Sequence, residues 1–147
     1  MTASRTIVLP VVLGLALALA SCGKTAKFEV ADVTFCHGLT DDMQAEQPGN
    51  AFRPDETVYV SVTVKGRPRH GVVAAKFYYG DRFIAEASVD LGDANSGVIF
   101  SVGENTFVGY TLSHDSPFPV GEEYRAELFH DDEPIGKYPF RVVAGAD

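Results

Sequence analysis

Tryptophan is absent from this 147-residue chain, and cysteine and methionine occur only twice each. Without tryptophan, any aromatic core must come from the 10 phenylalanines and 6 tyrosines. Two cysteines allow at most one disulfide. No stretch keeps a sustained helical period, so there is no room for a helix-rich or βαβ architecture. Nor is there a G-x-S-x-G, H-E-x-x-H, P-loop or EF-hand signature, so the common hydrolase, zinc-protease, nucleotide and calcium motifs are missing. Positive charge is also scarce, with 12 Lys and Arg against 20 Asp and Glu. That balance disfavours nucleic acid and anionic lipid headgroups as partners.

The first segment, by contrast, carries a strong pattern. "MTASRT" holds one arginine, and "IVLPVVLGLALALA" is an apolar run of export-signal length, broken by Pro10 and Gly14 and too short to span a bilayer comfortably. It ends in Leu19-Ala20-Ser21-Cys22, which resembles the lipobox of bacterial lipoproteins. The resemblance implies a signal peptide over 1–21, removed before Cys22, and a Cys22 sulfur carrying lipid, with acyl chains such as palmitate holding the chain at a membrane. Gly23 follows, where an inner-membrane retention signal would place Asp. The expected location is therefore the cell outer membrane, with the domain facing the periplasm. The alternative is an ordinary cleaved signal that happens to end at Cys22.

After cleavage 126 of the 147 residues remain, enough for one domain and one core. Loss of Arg5 leaves eleven basic against twenty acidic side chains, a net charge of −9. The linker over 22–27 includes "GKTAK", which spans about 17 Å at roughly 3.4 Å per residue, so the domain sits close to the bilayer. With Cys22 lipidated, Cys36 has no partner for a disulfide and reads as a buried small hydrophobe.

Period-two alternation dominates the remainder. In "ETVYVSVTVK", Val58, Val60, Val62 and Val64 share one face and Tyr59, Ser61 and Thr63 the other. "GVVAAKFYYGDRFIAEASVDL" reads as two strands around a type II′ turn at Gly80-Asp81. Its register is open, because Phe77 and Tyr79 compete with Tyr78 and Phe83 for the inner face. "GVIFSV" and "TFVGYTLS" are split by "GEN", and "EYRAELFH" and "IGKYPFRVV" by "DDEP". Turn signals near Gly66, Gly80, Gly92, Gly103, Pro117 and Asp132 recur about every dozen residues, as in an all-β sandwich. The expected core includes Val58, Val60, Val62, Phe77, Tyr110, Leu112, Tyr124 and Phe140.

"PFPVGEEYRAELFHDDEPIGKYPFRV" resembles the closing hairpin of bacterial immunoglobulin-like domains, with Pro119, Gly121 and Tyr124 opening it and Phe140 and Val142 closing it. The likeness implies an antiparallel immunoglobulin-like β-sandwich of about 7–8 strands over 28–143, followed by a tail over 144–147. Gly121 stands three residues before Tyr124, where the tyrosine-corner pattern usually has two.

Four segments carry residues with chemical potential. Ser113, His114, Asp115 and Ser116 suggest a hydrolase, but neighbours on an extended chain point apart, so a strand end and turn is expected. His130, Asp131, Asp132 and Glu133 could offer about three of the six to eight oxygens calcium needs, so a solvated turn is expected there. Asp90, Asp93, Asn95 and Gly97 read likewise as turn residues. The segment from Cys36 to Glu56 reads as a long irregular loop, with a short helical turn from Thr40 and with Asp41 and Asp42 in its first turn. It also holds Glu46 and a weak Cu(I) set of Cys36, His37 and Met43.

The reading reached from sequence is a lipid-anchored, non-catalytic binding or structural module of the cell envelope, with no cofactor and no nucleic acid. Its partners are the membrane, through Cys22, and an envelope protein, peptide or glycan. A metal-handling lipoprotein using the 36–43 residues is the alternative, with a small hydrolase behind it.

Overall fold

The structure, a computed structural model, describes residues 27–93 and 95–145; the expected signal peptide over 1–21, the expected lipobox and Cys22 lie outside them. No helix occurs among the described residues. The strands are β1 (Val30–Leu39), β2 (Ala45–Pro48), β3 (Ala51–Phe52), β4 (Val58–Lys65), β5 (Val72–Tyr79), β6 (Arg82–Asp90), β7 (Ile99–Val102), β8 (Asn105–Leu112), β9 (Gly121–His130) and β10 (Glu133–Val142). They form two five-stranded sheets, ordered β2-β1-β4-β8-β7 and β3-β10-β9-β5-β6. Every pairing is antiparallel except β3 with β10. The sheets stack as a β-sandwich.

The valine alternation of β4 does what its period requires. Val58, Val60, Val62 and Val64 are fully buried between the sheets, and β4 is the middle strand of its sheet. In place of tryptophan, the core holds a chain of rings. Phe35 and Phe52 approach Phe140 at 5.1 and 6.0 Å, Phe140 packs on Tyr124 at 5.2 Å, and Tyr124 stacks on Tyr79 at 4.3 Å. All eight expected core residues are buried. Tyr110 is buried too, and its hydroxyl donates 2.7 Å to the Val73 carbonyl of the opposite sheet, so a polar tip inside the core is satisfied.

The two-residue loop Gly80-Asp81 joins β5 to β6, with positive φ at Gly80 alone, as a type II′ turn needs. The open register of this hairpin is settled by a β-bulge. Phe77 pairs with Ala85 but Tyr78 with Phe83, so Ile84 is an extra residue in β6. Phe77 therefore points inward, while Tyr78 and Phe83 meet edge-on at 5.7 Å on the outer face.

Three expectations need correction. Ten strands are present where about seven or eight were expected, because the supposed loop over 36–56 contains the end of β1 and all of β2 and β3. β1 continues through Cys36 to Leu39, turns, and returns as β2, and the chain then crosses to the other sheet as β3. Thr40 does cap, its Oγ1 accepting the Gln44 N–H at 3.0 Å, but it closes one tight turn in which Met43 has φ 62°, not a helix. The closing turn is Asp131-Asp132 alone, both at positive φ as in a type I′ turn, while Glu133 and Pro134 belong to β10.

Replacing Phe140 with Ala removes the ring on which three others pack, and is expected to cost about 3–5 kcal/mol in denaturant unfolding. Tyr110→Phe removes one buried hydrogen bond and is expected to cost about 1 kcal/mol at neutral pH. Burial holds the Tyr110 hydroxyl's pKa well above that of a free tyrosine. Its contribution is thus complete below the unfolded-state value of about 10 and declines above it. Wild-type stability is expected to fall more steeply than that of Tyr110→Phe in unfolding titrations above that pH.

Candidate functional site

The two ends of the sandwich differ. At one end, where β1 begins and β9 ends, Phe28 stacks on His130 with ring centroids 3.8 Å apart and planes 6° apart. The tight turn beside it is tethered, since Asp131 Oδ1 accepts the Val72 N–H at 2.8 Å. Asp131 thus works as a structural brace in a segment expected to be only a solvated turn. Asp132 and Glu133 are exposed. Asp90 and Asp93 serve as turn residues, their Oδ1 atoms accepting the N–H of Gly92 and Asn95 at 2.8 and 3.0 Å.

At the opposite end lies a cleft of about 250 Å³, walled by Tyr79, Phe118 and Tyr124, with Arg82, Phe83 and His114 at its margin. Three elements build it. The β5–β6 turn brings Tyr79 and Arg82 together as a register pair. The segment Pro117-Phe118-Pro119 drops Phe118 into the core, where its ring meets Tyr124 edge-on at 6.4 Å. The Tyr124 hydroxyl donates 2.5 Å to the Pro119 carbonyl and fixes that segment to β9. Gly121 is required for space, because a Cβ there would lie 2.5 Å from the Tyr79 hydroxyl oxygen.

No acidic side chain lines this cleft, although acidic residues outnumber basic ones in the chain. Arg82 is exposed and has no ion-pair partner within 4.0 Å among the described residues. His114 is turned to its own loop, its Nδ1 receiving the Ser116 N–H at 2.9 Å and lying 3.1 Å from the Ser116 carbonyl oxygen. Among the described residues His114 makes no hydrogen bond to a serine hydroxyl or to Asp115, so the Ser113–Ser116 segment is not assembled as a triad. Sequence reasoning had weighed His114 and Tyr124 separately and missed the cleft. The available signal was Pro117-Phe118-Pro119, two ring-locked residues holding an aromatic next to a turn.

The weak Cu(I) set is divided by its own sheet. Phe35 points into the core, so Cys36 faces outward, beside its register partner Tyr59, and His37 faces inward. His37 packs against Phe52 at 4.8 Å, and its Nδ1 lies 3.0 Å from Glu56 Oε1. Met43 folds over the outer face, where a Cβ on Gly109 would collide with its sulfur, and the Met43 carbonyl accepts the Ser61 hydroxyl at 2.7 Å. Asp41, Asp42 and Glu46 are exposed. Among the described residues no group of three or more His, Cys, Asp or Glu is placed to hold a metal ion.

The outer face of the β3-β10-β9-β5-β6 sheet carries two ordered rows. Phe83, Tyr78, Arg125 and Pro139 lie in register across four strands, and Glu86, Lys76, Glu127 and Lys137 form the next row. The second row alternates in sign, so each side chain has an opposite charge across the strand. Arg125 lies 4.5 Å over the Tyr78 ring and 2.8 Å from Glu127, whose carboxyl it holds below the ordinary carboxylate range by that hydrogen bond. Lys137 Nζ also lies 3.6 Å from Glu127, so that carboxylate is held by two cations, whereas Lys76 sits 4.7 Å over the Phe129 ring.

No protein-family model matches the chain, and no curated protein sequence matches it.

Cys36 is wholly buried, its Sγ 3.7 Å from the Tyr59 carbonyl, and burial pushes its thiol pKa up. The native protein is expected to resist alkylation at pH 8 and to react on unfolding, with the native rate unchanged by added Cu(I). Cys36→Ala is expected to cost about 1 kcal/mol in denaturant unfolding.

Proposed function

We propose that the protein is a lipid-anchored, non-catalytic module of the bacterial cell envelope. In this reading an immunoglobulin-like sandwich faces the periplasm and recognises a protein, peptide or glycan partner. The Leu19-Ala20-Ser21-Cys22 motif supports the anchor, and Gly23 supports outer-membrane sorting. The hydrogen bond from the Tyr124 hydroxyl to the Pro119 carbonyl supports the immunoglobulin-like assignment, since tyrosine-corner hydroxyls bond back to the chain a few residues upstream.

The observation that carries the reading is the placement of the two ends. A lipidated Cys22 would be joined by a short linker to Phe28, which is pinned on His130 at one end of the sandwich. The cleft lies at the other end, beyond strands of 8 to 10 residues, or about 30 Å at roughly 3.3 Å per residue. An anchor at one end thus turns the cleft away from the bilayer, where a partner can reach it.

Cys22→Ser is expected to release the protein from the membrane fraction with its thermal unfolding unchanged. A Cys22→Ser chain with its signal removed that stays with the membrane would overturn the anchor. Photo-crosslinkers placed in intact cells at Phe83 beside the cleft and at Thr111 on the other sheet are expected to capture a discrete partner from the cleft end. Capture from neither position would overturn the binding reading.

A further inference from the structure

Four strands stand at sheet edges, and three of them are short. β2 and β7 have 4 residues each and β3 has 2. β6 has 9, pairs only with β5, and contains no proline. Short edges offer little to another chain, whereas this nine-residue edge presents free backbone donors and acceptors on both sides of the bulge at Ile84. On the β2 side, one continuous chain runs from β2 through Gly49 and Asn50 into β3 and joins the two edges. The edge of β6 has no such cover among the described residues.

The cleft opens at the start of this strand, with Arg82, the first residue of β6, at its margin. We propose that the β6 edge and the cleft together bind the carboxyl-terminal segment of a partner polypeptide, added as an antiparallel strand with its last side chain in the cleft and its terminal carboxylate on Arg82. This rests on the binding-module reading above and names the partner's chemistry.

Strand direction argues for a C-terminus. β6 runs away from the cleft, and both neighbouring pairings in its half of the sheet, β6 with β5 and β5 with β9, are antiparallel. A strand added in the same sense runs toward the cleft and ends there, so its carboxyl end arrives beside Arg82. Backbone hydrogen bonds along the edge would supply affinity, and the pocket for the last side chain would supply selectivity. At about 250 Å³ the cleft is smaller than the roughly 300–1,000 Å³ of typical small-molecule sites. It suits one apolar side chain, and its aromatic and proline walls favour that chemistry.

Charge points the same way. The cleft joins an unpaired guanidinium to a wall without carboxylates in a chain of net charge −8, so it complements a carboxylate. Along the strand the next exposed charge is Glu86, four residues after Arg82. The bulge at Ile84 sets Arg82 and Glu86 against Tyr79 and Lys76, only three apart in β5, so an antiparallel ligand that follows the bulge places opposite Glu86 a residue three positions before the one facing Arg82, and a Lys or Arg there forms a cross-strand pair.

The probe is an array of random decapeptides tethered by their N-termini, with free carboxyl ends, incubated with the lipid-free domain. Peptides ending in Leu, Ile, Val or Phe are expected to be retained, with Lys or Arg enriched three positions earlier. Amidating the carboxyl terminus of the best peptide is expected to weaken it at least about tenfold. Arg82→Gln, an exposed substitution whose fold is checked by circular dichroism, is expected to weaken the free acid to the same degree and leave the amide unaffected. N-methylation of alternate peptide nitrogens removes strand donors without touching the protein; it is expected to abolish binding in one of the two alternating sets and spare the other.

Retention of no peptide, equal binding of acid and amide, or indifference to both N-methylated sets would overturn the inference. So would N-acetyl-phenylalanine binding as tightly as the best peptide, since the cleft would then be a site for small acids. Cellular crosslinking separates the two levels of failure. Capture from Thr111 but not from Phe83 overturns this site and leaves a binding module that uses another surface. Capture from neither position overturns the module reading as well.

Discussion

The packing of Tyr124 against Phe140 is the contact on which the rest of the molecule depends. These rings sit opposite each other on neighbouring strands and fill the space between the sheets. Phe35 and Phe52 reach Phe140 from the other sheet and from the crossover strand, so three separate parts of the chain converge on one ring. Interiors are close-packed and aromatic rings bury large areas, so this convergence sets the spacing of the sheets.

Tyr124 then transmits that order to the surface. Its ring supports Tyr79 and Phe118, and its hydroxyl holds Pro119, so the walls of the cleft extend the core. A cleft made this way is largely preformed, and a ligand entering it would forgo much of the ordering entropy that a loop-built site demands. The exposed residues at its margin, Arg82 and Phe83, stand on a strand end and not in a floppy connection. The same turn that places them, Gly80-Asp81, is also tied to β9 through the Gly80 N–H and the Glu123 carbonyl at 2.9 Å.

Charge is distributed with equal economy. On the outer sheet face, Glu86, Lys76, Glu127 and Lys137 alternate across four strands, which discourages flat association while keeping the face soluble. The Thr40–Gln44 turn covers Ser61 on the other outer face and leaves its hydroxyl bonded to the Met43 carbonyl. Arg82 stands at the margin of the cleft, with no ion-pair partner within 4.0 Å among the described residues.

Much of this was legible in the residues. The valines of β4 repeat at the period of a strand, so their burial follows from local geometry alone, and the Gly80-Asp81 turn follows from the one residue type that tolerates positive φ freely. Composition demanded a phenylalanine and tyrosine core. Long-range facts were not legible. Cys36, His37 and Met43 are neighbours in sequence, but the pleat of β1 sends Cys36 and His37 to opposite faces and the following turn carries Met43 outside. The bulge at Ile84 reverses the facing pattern part-way along a hairpin, which no fixed period expresses. The 36–56 segment read as a loop because β2 and β3 are short, and β3 binds a partner far away in the chain. The cleft joins the starts of β6 and β9 to the loop after β8, and only tertiary packing brings such separated residues to one place.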